Sequence, residues 1–404
     1  MLFSPERHEP LRTDAWDEGR AREAIEAIVR DTEASFTPEG LWPMHPDDAS
    51  NPDPQYLLYW GASGVIWALH HLQERGAARL ARDYAPVVPG LIAANRAAMG
   101  RPADARFAAY LMGDTGIRLL EHRLRPSDTV ADELARLCGG HLDDPTLELM
   151  WGTPGTMLAA LFMHERTGEQ RWAGIYRDTA RRLWSQLEWS EDFGCHFWTQ
   201  QLYGQRSTYI DAVHGFVATA VPLIHGRHLL GDAEWSAWRD CIANTVQRTA
   251  DREGAQANWR PRLFPLPDAS RPKLVQMCHG APGFVICLAD FPGDTLDELL
   301  LAAGETTWQA GPLHKGSNLC HGTGGNGYAF LKLHRRFGDA AWLDRARAFA
   351  MHGIAQTEAD LAEHGHLRYS LWTGDPGFAI YLWDCIEGTD RFPTLDVFFQ
   401  AGGG

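Results

Sequence analysis

The chain has 404 residues, of which 45% are hydrophobic and 22% are charged, so it is a globular, core-forming protein and not a disordered one. Its formal net charge is −15, from 52 acidic and 37 basic residues. This balance argues against a protein that binds duplex nucleic acid, which would carry a basic surface, and against one that docks on an anionic membrane.

The first 20 residues contain neither the apolar segment nor the cleavage site of a secretory signal, and no apolar run is long enough to span a membrane. The seven cysteines are odd in number and scattered, and a chain of this length needs no disulfides. These features predict a cytoplasmic protein. We expect residues 1–404 to form a single domain. Residues 1–20, which include Arg7 and His8, are predicted to be a flexible arm and residues 400–404 a disordered tail.

A glycine-containing phrase recurs seven times along the chain, at intervals of roughly 50 residues. Each phrase continues into a mostly apolar stretch, and the segments between phrases, such as residues 171–189, are amphipathic. The pattern predicts seven helix pairs, each with a buried inner helix that begins at the phrase and an amphipathic outer helix. The first glycines of the phrases are Gly61, Gly113, Gly152, Gly215, Gly280, Gly322 and Gly374.

The sixth phrase also contains Gly322, Gly324 and Gly327 in the spacing G-x-G-x-x-G, which is typical of dinucleotide-binding proteins. That function requires a preceding strand inside a strand–helix–strand unit, and the sequence predicts no such series. We therefore interpret these glycines as the start of an inner helix.

The residues just before the first glycine differ from phrase to phrase. Four phrases have apolar or neutral residues there, Tyr59 among them. Equivalent positions of a repeat lie at the same end of neighbouring helices, so the side chains of the other three phrases should face one shared space. Those three phrases are consecutive and carry His214, Cys278 with His279, and Cys320 with His321.

Two thiols and several imidazoles favour zinc, and three protein ligands with an open fourth position are typical of a catalytic site. A closed structural site would need four ligands, often in C-x-x-C pairs, which this chain lacks. The candidate ligands are Cys278, Cys320 and either His279 or His321. The other five cysteines are interpreted as small buried hydrophobic residues.

The phrases MCHGAPG and NLCHGTGGNGYAFLKL resemble the two zinc-binding phrases of the lanthionine synthetase C-like (LanC-like) family, and HKGSNLCHG is most similar to its eukaryotic-type members. The resemblance extends from about residue 55 to about residue 385. It implies an all-α fold, an α/α toroid of seven inner and seven outer helices. It also implies that Cys278, Cys320 and His321 hold Zn²⁺.

The same resemblance assigns roles to residues around the ligands. His214 corresponds to the family's acid or base, Glu148 to an acidic residue four before the third glycine, and Lys315 to a lysine of eukaryotic-type members. On chemical grounds we expect His214 to supply a proton and Glu148 to orient a neighbouring group. Lys315 or His279 would contact the enolate or the substrate.

The chain departs from the family pattern at several positions. Met277 replaces a usual tryptophan, and Leu274 replaces an arginine found in some cyclases. His279 stands where bacterial lantibiotic cyclases commonly have tyrosine, and Ala218 replaces the second glycine of the fourth phrase. These differences favour a role other than that of a dedicated lantibiotic cyclase.

The predicted function is zinc-dependent addition of a thiol, from glutathione or a peptide cysteine, to dehydroalanine or dehydrobutyrine in a dehydrated peptide or protein. Coordination to zinc supplies the thiolate that such an addition needs. The alternatives are a lanthipeptide cyclase that closes (methyl)lanthionine rings and a non-catalytic zinc- or glutathione-binding scaffold. A zinc-dependent prenyltransferase is a further alternative, for which an aspartate ligand would be diagnostic.

Overall fold

A computed structural model of the chain describes residues 1–48, 55–102, 107–264 and 273–400. Within these ranges helices dominate, and short 3-10 turns occur at Pro5–Arg7, Pro46–Asp48 and Arg227–Leu229. The α-helices of the described residues are α1 (Glu18–Ala34), α2 (Ala62–Glu74), α3 (Val88–Ala98), α4 (Asp114–Leu124), α5 (Asp128–Gly139), α6 (Thr153–Thr167), α7 (Gln170–Ser185), α8 (Phe216–His225), α9 (Asp232–Thr249), α10 (Ala281–Leu288), α11 (Asp297–Ala310), α12 (Thr323–Phe337), α13 (Ala340–His364) and α14 (Asp375–Glu387).

The even-numbered helices form a closed inner ring. Each contacts the next along the chain, from α2 to α14, and α14 contacts α2, which closes the circle. The odd-numbered helices surround this ring, with α1 packed on α14 and α13 on α12. The predicted α/α toroid of seven inner and seven outer helices is therefore confirmed.

Burial distinguishes the two layers as their sequences predict. Every residue of α10 is buried, as is the continuous stretch Thr153–Met163 of α6, because an inner helix has neighbours on all sides. In α7, by contrast, the buried residues recur at helical spacing along one face and include Trp172, Tyr176 and Leu183. The charged side chains of that helix lie on the other face, as expected for an outer helix.

Each inner helix begins at the first glycine of its phrase, which occupies the N-cap position. The preceding loop folds back over the helix start so tightly that side chains are excluded there. A Cβ atom at Gly325, one turn into α12, would overlap the carbonyl oxygen of Leu319. At Gly280 the backbone φ of 114° adds a conformational requirement for glycine. All seven inner helices thus point the same way, with their N-termini at one end of the toroid.

The C-terminal segment fills the centre of the ring. Phe392–Phe398 forms a tight loop whose large apolar side chains are fully buried. Its Thr394 carbonyl accepts a hydrogen bond from the hydroxyl of Tyr110 at 2.7 Å, and its Phe398 carbonyl accepts one from the indole of Trp67 at 3.1 Å. The predicted tail at 400–404 lies outside the described residues except for Gln400.

Smaller elements complete the described part of the chain. Three antiparallel hairpins, which the sequence did not suggest, are β1–β2 (Glu188–Ser190, Cys195–Phe197), β3–β4 (Gln200–Leu202, Gln205–Ser207) and β5–β6 (Asp251–Glu253, Gln256–Asn258). The N-terminal segment lies against the loop before α12: His8 pairs with Leu313, and Leu2 is buried. Among the described helices, none is both long and apolar enough to cross a membrane.

Candidate metal centre

The loops before the inner helices are joined by a ring of backbone hydrogen bonds. In each case the residue two before the glycine donates its N–H to the carbonyl of the equivalent residue in the next phrase, over 2.8–3.2 Å. These contacts place the repeat positions side by side, as the alignment of phrases predicts. The bonds run from Cys278 to Cys320, Cys320 to Trp372, Trp372 to Tyr59, Tyr59 to Leu111, and Leu111 to Met150.

Two buried carboxylates take the place of this ring in the third and fourth phrases. Glu148 accepts the N–H of Met150 at 2.9 Å, and Asp211 accepts the N–H of Val213 at 3.1 Å. Each acid lies four residues before its glycine, and each side chain is fully buried. Both carboxylates are thus held at the same end of the toroid as the cysteines.

Three of the predicted ligands converge at this end. The Sγ atoms of Cys278 and Cys320 and a ring nitrogen of His321 all lie within 4.8 Å of one another. His279 lies outside this group, because its Nδ1 is bound to Asp211. Two thiols and one imidazole at this separation are a donor set suited to zinc.

Each thiol also has a hydrogen-bond donor beside it. The Tyr59 hydroxyl donates to Cys320 Sγ at 2.9 Å, and the Gln276 amide donates to Cys278 Sγ at 2.9 Å. The hydrogen bond with Cys278, followed by that from Tyr59, lowers the pKa of the Cys320 thiol below its usual range despite burial. Burial, together with the neighbouring Cys320, raises the pKa of Cys278.

The imidazole of His214 is paired with the buried carboxylate of Glu148. Its Nδ1 lies 3.0 Å from Glu148 Oε2, and 14% of its side chain is exposed. Burial opposes protonation of His214, but the hydrogen bond and charge of Glu148 outweigh burial and raise its pKa. The contact at Nδ1 leaves Nε2 as the nitrogen available to another molecule.

A second imidazole–carboxylate pair stands next to the first. His279 Nδ1 lies 2.7 Å from Asp211 Oδ2, and the His214 and His279 rings are 6.4 Å apart. Burial opposes protonation of His279, but the charge of Asp211 raises its pKa. The ring of Tyr209 stacks beside His279 at 6.4 Å, and Tyr203, from the β3–β4 hairpin, lies edge-on to His214 at 5.7 Å.

Lys315 lies further out than the other predicted site residues. It is exposed and lines a cavity of about 560 Å³ together with His321 and Asp360. The positive charge of Lys315, like that of Arg368, lowers the pKa of the Cys320 thiol. Lys315 is thus placed where a molecule entering the cavity from solvent would pass it.

Four residues of this region were not identified from the sequence. Tyr59 was grouped with the apolar phrases, and Gln276 carried no signal of its own. Asp211 could have been found, because it occupies the same offset from its glycine as Glu148. Arg7, in the predicted arm, donates to Gln276 at 3.4 Å, and its buried Nε has no hydrogen-bond partner among the described residues.

Comparisons with known proteins show which proteins this chain is similar to. A sequence model described as "Lanthionine synthetase C-like protein" matches residues 6–397. The chain is 26% identical over 332 residues to "Glutathione S-transferase LANCL1" of Danio rerio, covering 74% of this chain and 76% of that protein. It is 36% identical over 139 residues to "LanC-like protein GCL1" of Arabidopsis thaliana, covering 31% of each. Both relatives are eukaryotic, in agreement with the eukaryotic-type phrases.

A solved structure supports the fold. "Nisin cyclase" superposes with a TM-score of 0.61 at 15% identity, covering 88% of this chain and 96% of that chain. At this level of identity the likeness shows a shared fold.

Proposed function

The chain belongs to the lanthionine synthetase C-like family, and on that premise we propose that it is a zinc-dependent enzyme that joins a thiol to dehydroalanine or dehydrobutyrine residues of a peptide or protein. The reaction adds S–H across the Cα=Cβ bond: sulfur bonds to Cβ and a proton is delivered to Cα. The observation that carries the proposal is the convergence of three soft or borderline ligand atoms beside two carboxylate–imidazole pairs.

Cys278, Cys320 and His321 would hold the ion, and their contacts fit that role. The donors to the two sulfur atoms, from Gln276 and Tyr59, stabilise negative charge on thiolates and orient them. Zinc held by three protein ligands supplies a low-pKa position at which a bound thiol is deprotonated at neutral pH. No carboxylate belongs to this ligand group among the described residues, which disfavours the prenyltransferase alternative.

We assign the delivery of the proton to Cα to His214. Glu148 occupies Nδ1, so the proton that can be transferred is the one on Nε2 of the imidazolium. The raised pKa of His214 keeps that acid form populated closer to neutral pH than in a free histidine. Glu148 is fixed in turn by the N–H groups of Met150 and Trp151, so it acts as a positioning residue.

Other cationic groups of this region would stabilise the negative charge that develops on the enolate oxygen. His279, held by Asp211, presents its free nitrogen next to His214. Lys315 lies in the cavity wall and Arg7 lies beside Gln276. Their positive charges would attract the substrate or the carboxylate groups of a thiol such as glutathione. We assign His279 to the enolate and Lys315 to the entering thiol.

Glutathione is the thiol we propose. The relative from Danio rerio is named a glutathione S-transferase and covers three quarters of this chain. The cavity of about 560 Å³ beside His321, with Lys315 in its wall, has the size of a small-molecule site. Ring closure within one peptide, by a cysteine of the substrate, is the alternative that the experiment below separates.

The test is mass spectrometry of a cysteine-free peptide that contains dehydrobutyrine, incubated with glutathione and the zinc-loaded protein. We expect a glutathione adduct, formed faster than in the protein-free control. Cys320→Ala should abolish the acceleration with loss of the zinc ion held by Cys278, Cys320 and His321. His214→Ala should abolish most of it while zinc content is retained, because His214 lies outside the ligand group.

The outcomes separate the candidates. If zinc-loaded protein gives no adduct with glutathione but closes a thioether ring in a cysteine-bearing peptide, the glutathione assignment fails and the cyclase alternative holds. If it does neither, the protein is a zinc-bearing scaffold. An adduct that persists in Cys320→Ala would overturn the zinc assignment itself.

A further inference from the structure

A second group of metal-ligand side chains lies outside the site described above, where the segment between α1 and α2 meets the end of α13. It consists of His45, Asp360 and His364. Asp360 and His364 are four residues apart on α13 and so project from the same face of the helix. His45 reaches them from the segment that precedes the 3-10 turn at Pro46–Asp48.

These three side chains converge as closely as the predicted zinc ligands do. One ligand atom from each lies within 4.8 Å of the other two. His45 Nε2 is 3.4 Å from Asp360 Oδ2, and His364 Nε2 is 3.4 Å from Asp360 Oδ1. The two imidazole rings meet edge to face at 4.6 Å. Both histidines therefore direct Nε2 towards one carboxylate.

His45 is unusual because it is buried and unsatisfied. Its side chain is 1% exposed, yet Nε2 makes no hydrogen bond to any group in the described ranges. A buried polar atom without a partner costs about 1–3 kcal/mol and calls for an explanation. An imidazole nitrogen aimed at a second imidazole and a carboxylate is a metal-ligand geometry.

We propose that His45, Asp360 and His364 form a second site for a divalent ion of the zinc class. Two imidazole nitrogens and one carboxylate oxygen match the ligand preference of such ions and leave a position for water. Ligation through Nε2 places the proton of His45 on Nδ1. In the structure, Nδ1 accepts a hydrogen bond from the backbone N–H of Asp47 at 3.3 Å. With an ion on Nε2, the protonated Nδ1 would instead donate to the Asp47 carboxylate, which lies 3.8 Å away.

The position of this site gives it a structural consequence. Asp47 and Asp360 line the same cavity as His321 and Lys315. An ion held by His45 and α13 ties the segment before α2 to the outer layer at the mouth of that cavity. Asp48 already anchors this segment through its ion pair with Arg368. The ion would be a clamp at the rim and is independent of the thiol chemistry proposed above.

A third group of similar composition does not qualify. His225, Asp290 and Asp396 also bring ligand atoms together, but the ammonium of Lys332 lies 2.8 Å from Asp396 and 3.4 Å from Asp290. That buried cation already neutralises the carboxylates. At the rim site, the described residues place no lysine or arginine in ion-pair contact with Asp360.

The test is the zinc content of the full chain, stripped with a chelator, reloaded with Zn²⁺ and desalted. We expect two ions per chain in the wild type, one in His364→Gln, one in Cys320→Ala, and none in the double variant. Asp360→Asn provides a second way to remove the rim site. Glu363→Gln is the matched control, because it removes a neighbouring exposed charge from the same helix and should keep two ions.

Co²⁺ loading gives an independent readout. The thiolate site should show strong sulfur-to-metal charge-transfer absorption that His364→Gln leaves intact, whereas cobalt bound to Cys320→Ala through the rim ligands should lack it. One ion in the wild type and in His364→Gln, with none in Cys320→Ala, would overturn the rim site and leave the proposed function standing. One ion in the wild type and in Cys320→Ala, with none in His364→Gln, would support the rim site and refute the zinc assignment at the cysteines.

Discussion

The two ends of the toroid both bury carboxylates, but they pair them with different partners. At the glycine end, where the inner helices begin, Glu148 and Asp211 face His214 and His279. At the opposite end, the lysine end, Lys332 has a side chain that is only 1% exposed. It forms a lysine cluster with Asp290, Asp390 and Asp396. The first end therefore has histidines opposite its carboxylates, whereas the second has a lysine that remains charged at neutral pH, with His225 beside Asp290.

The two ends also differ in what their buried charges hold together. The loop Phe392–Phe398 enters the ring and contributes Asp396 to the lysine cluster, so the cluster fastens the C-terminal segment to α12. At the glycine end, the side chains of His214 and His279 are 14% and 22% exposed. We infer that buried charge stabilises the fold at one end and holds the proposed proton-transferring groups at the other. The predictions that follow test this division.

Removal of the buried cation should have the largest effect. Lys332→Met leaves three carboxylates around an apolar side chain, and loss of one partner of a buried ion pair costs about 3–5 kcal/mol. We expect a clear decrease in the free energy of unfolding, measured by urea denaturation, and a lower Tm.

A lysine at the surface provides the control. Lys273 is 35% exposed and pairs with Asp251 at 3.2 Å, so Lys273→Met should change stability by less than about 1 kcal/mol. Equal losses in the two variants would show that the Lys332 cluster is no more important for stability than a surface pair.

Two histidines that flank α8 allow the ends to be compared directly. His214 precedes the N-cap of α8, and His225 is its last residue, 3.3 Å from Asp290. His214→Ala should lower the rate of thiol addition by about 10²–10⁴-fold, the usual contribution of a general acid, with bound zinc unchanged. His225→Ala should reduce stability and leave the rate per folded molecule within about twofold. A comparable loss of rate in both variants would contradict the division of roles.

Much of this arrangement follows from the repeat. The glycine phrases predict where every inner helix begins, because the tight turn there excludes other residues, and the predicted seven-pair toroid is confirmed. Equivalence of repeat positions then brings Cys278, Cys320 and His321 to one end. Assignment of these residues as zinc ligands stays a prediction.

What the sequence could not predict comes from contacts without periodicity. Tyr59 meets Cys320 only because α14 closes the ring against α2, a contact between residues 261 positions apart. The central loop Phe392–Phe398 lies beyond the last phrase and has no repeat counterpart. His45 and Asp360 come together through the packing of α1 and α13 around the ring, and hydrophobic periodicity carries no information on such pairs.

The pH dependence of the reaction should reveal which carboxylate controls His214. A step that needs the imidazolium is fastest below the pKa of His214 and slows as the pH rises through it, and Glu148 raises that pKa. Glu148→Gln should therefore move the alkaline decline of kcat to lower pH, so that the rate falls more at pH 8 than at pH 6. The charge of Asp211 raises the pKa of His214 less than Glu148 does, so Asp211→Asn should move the decline by a smaller amount. An unchanged profile in Glu148→Gln would mean that another group is the acid.

The smallest expected effect concerns stability in the zinc-free protein. His214 and His279 have raised pKa values, so the stability they contribute is complete below about pH 6.5 and is lost as the pH rises through their folded-state pKa. At the opposite end, His225 and Lys332 lower the pKa of Asp290, whose contribution is present above about pH 4 and is lost only in acid. Between pH 6 and pH 8.5, therefore, the glycine end should lose stability, on the order of 1 kcal/mol for a charge-assisted hydrogen bond. Urea denaturation across this range should show a decline in the wild type and a flatter line in Asp211→Asn. Asp290→Asn should lie lower than the wild type and still decline across this range, because it leaves both imidazole–carboxylate pairs of the glycine end intact. A steeper decline in Asp211→Asn than in Asp290→Asn would place the titrating groups at the lysine end and reverse the contrast between the two ends.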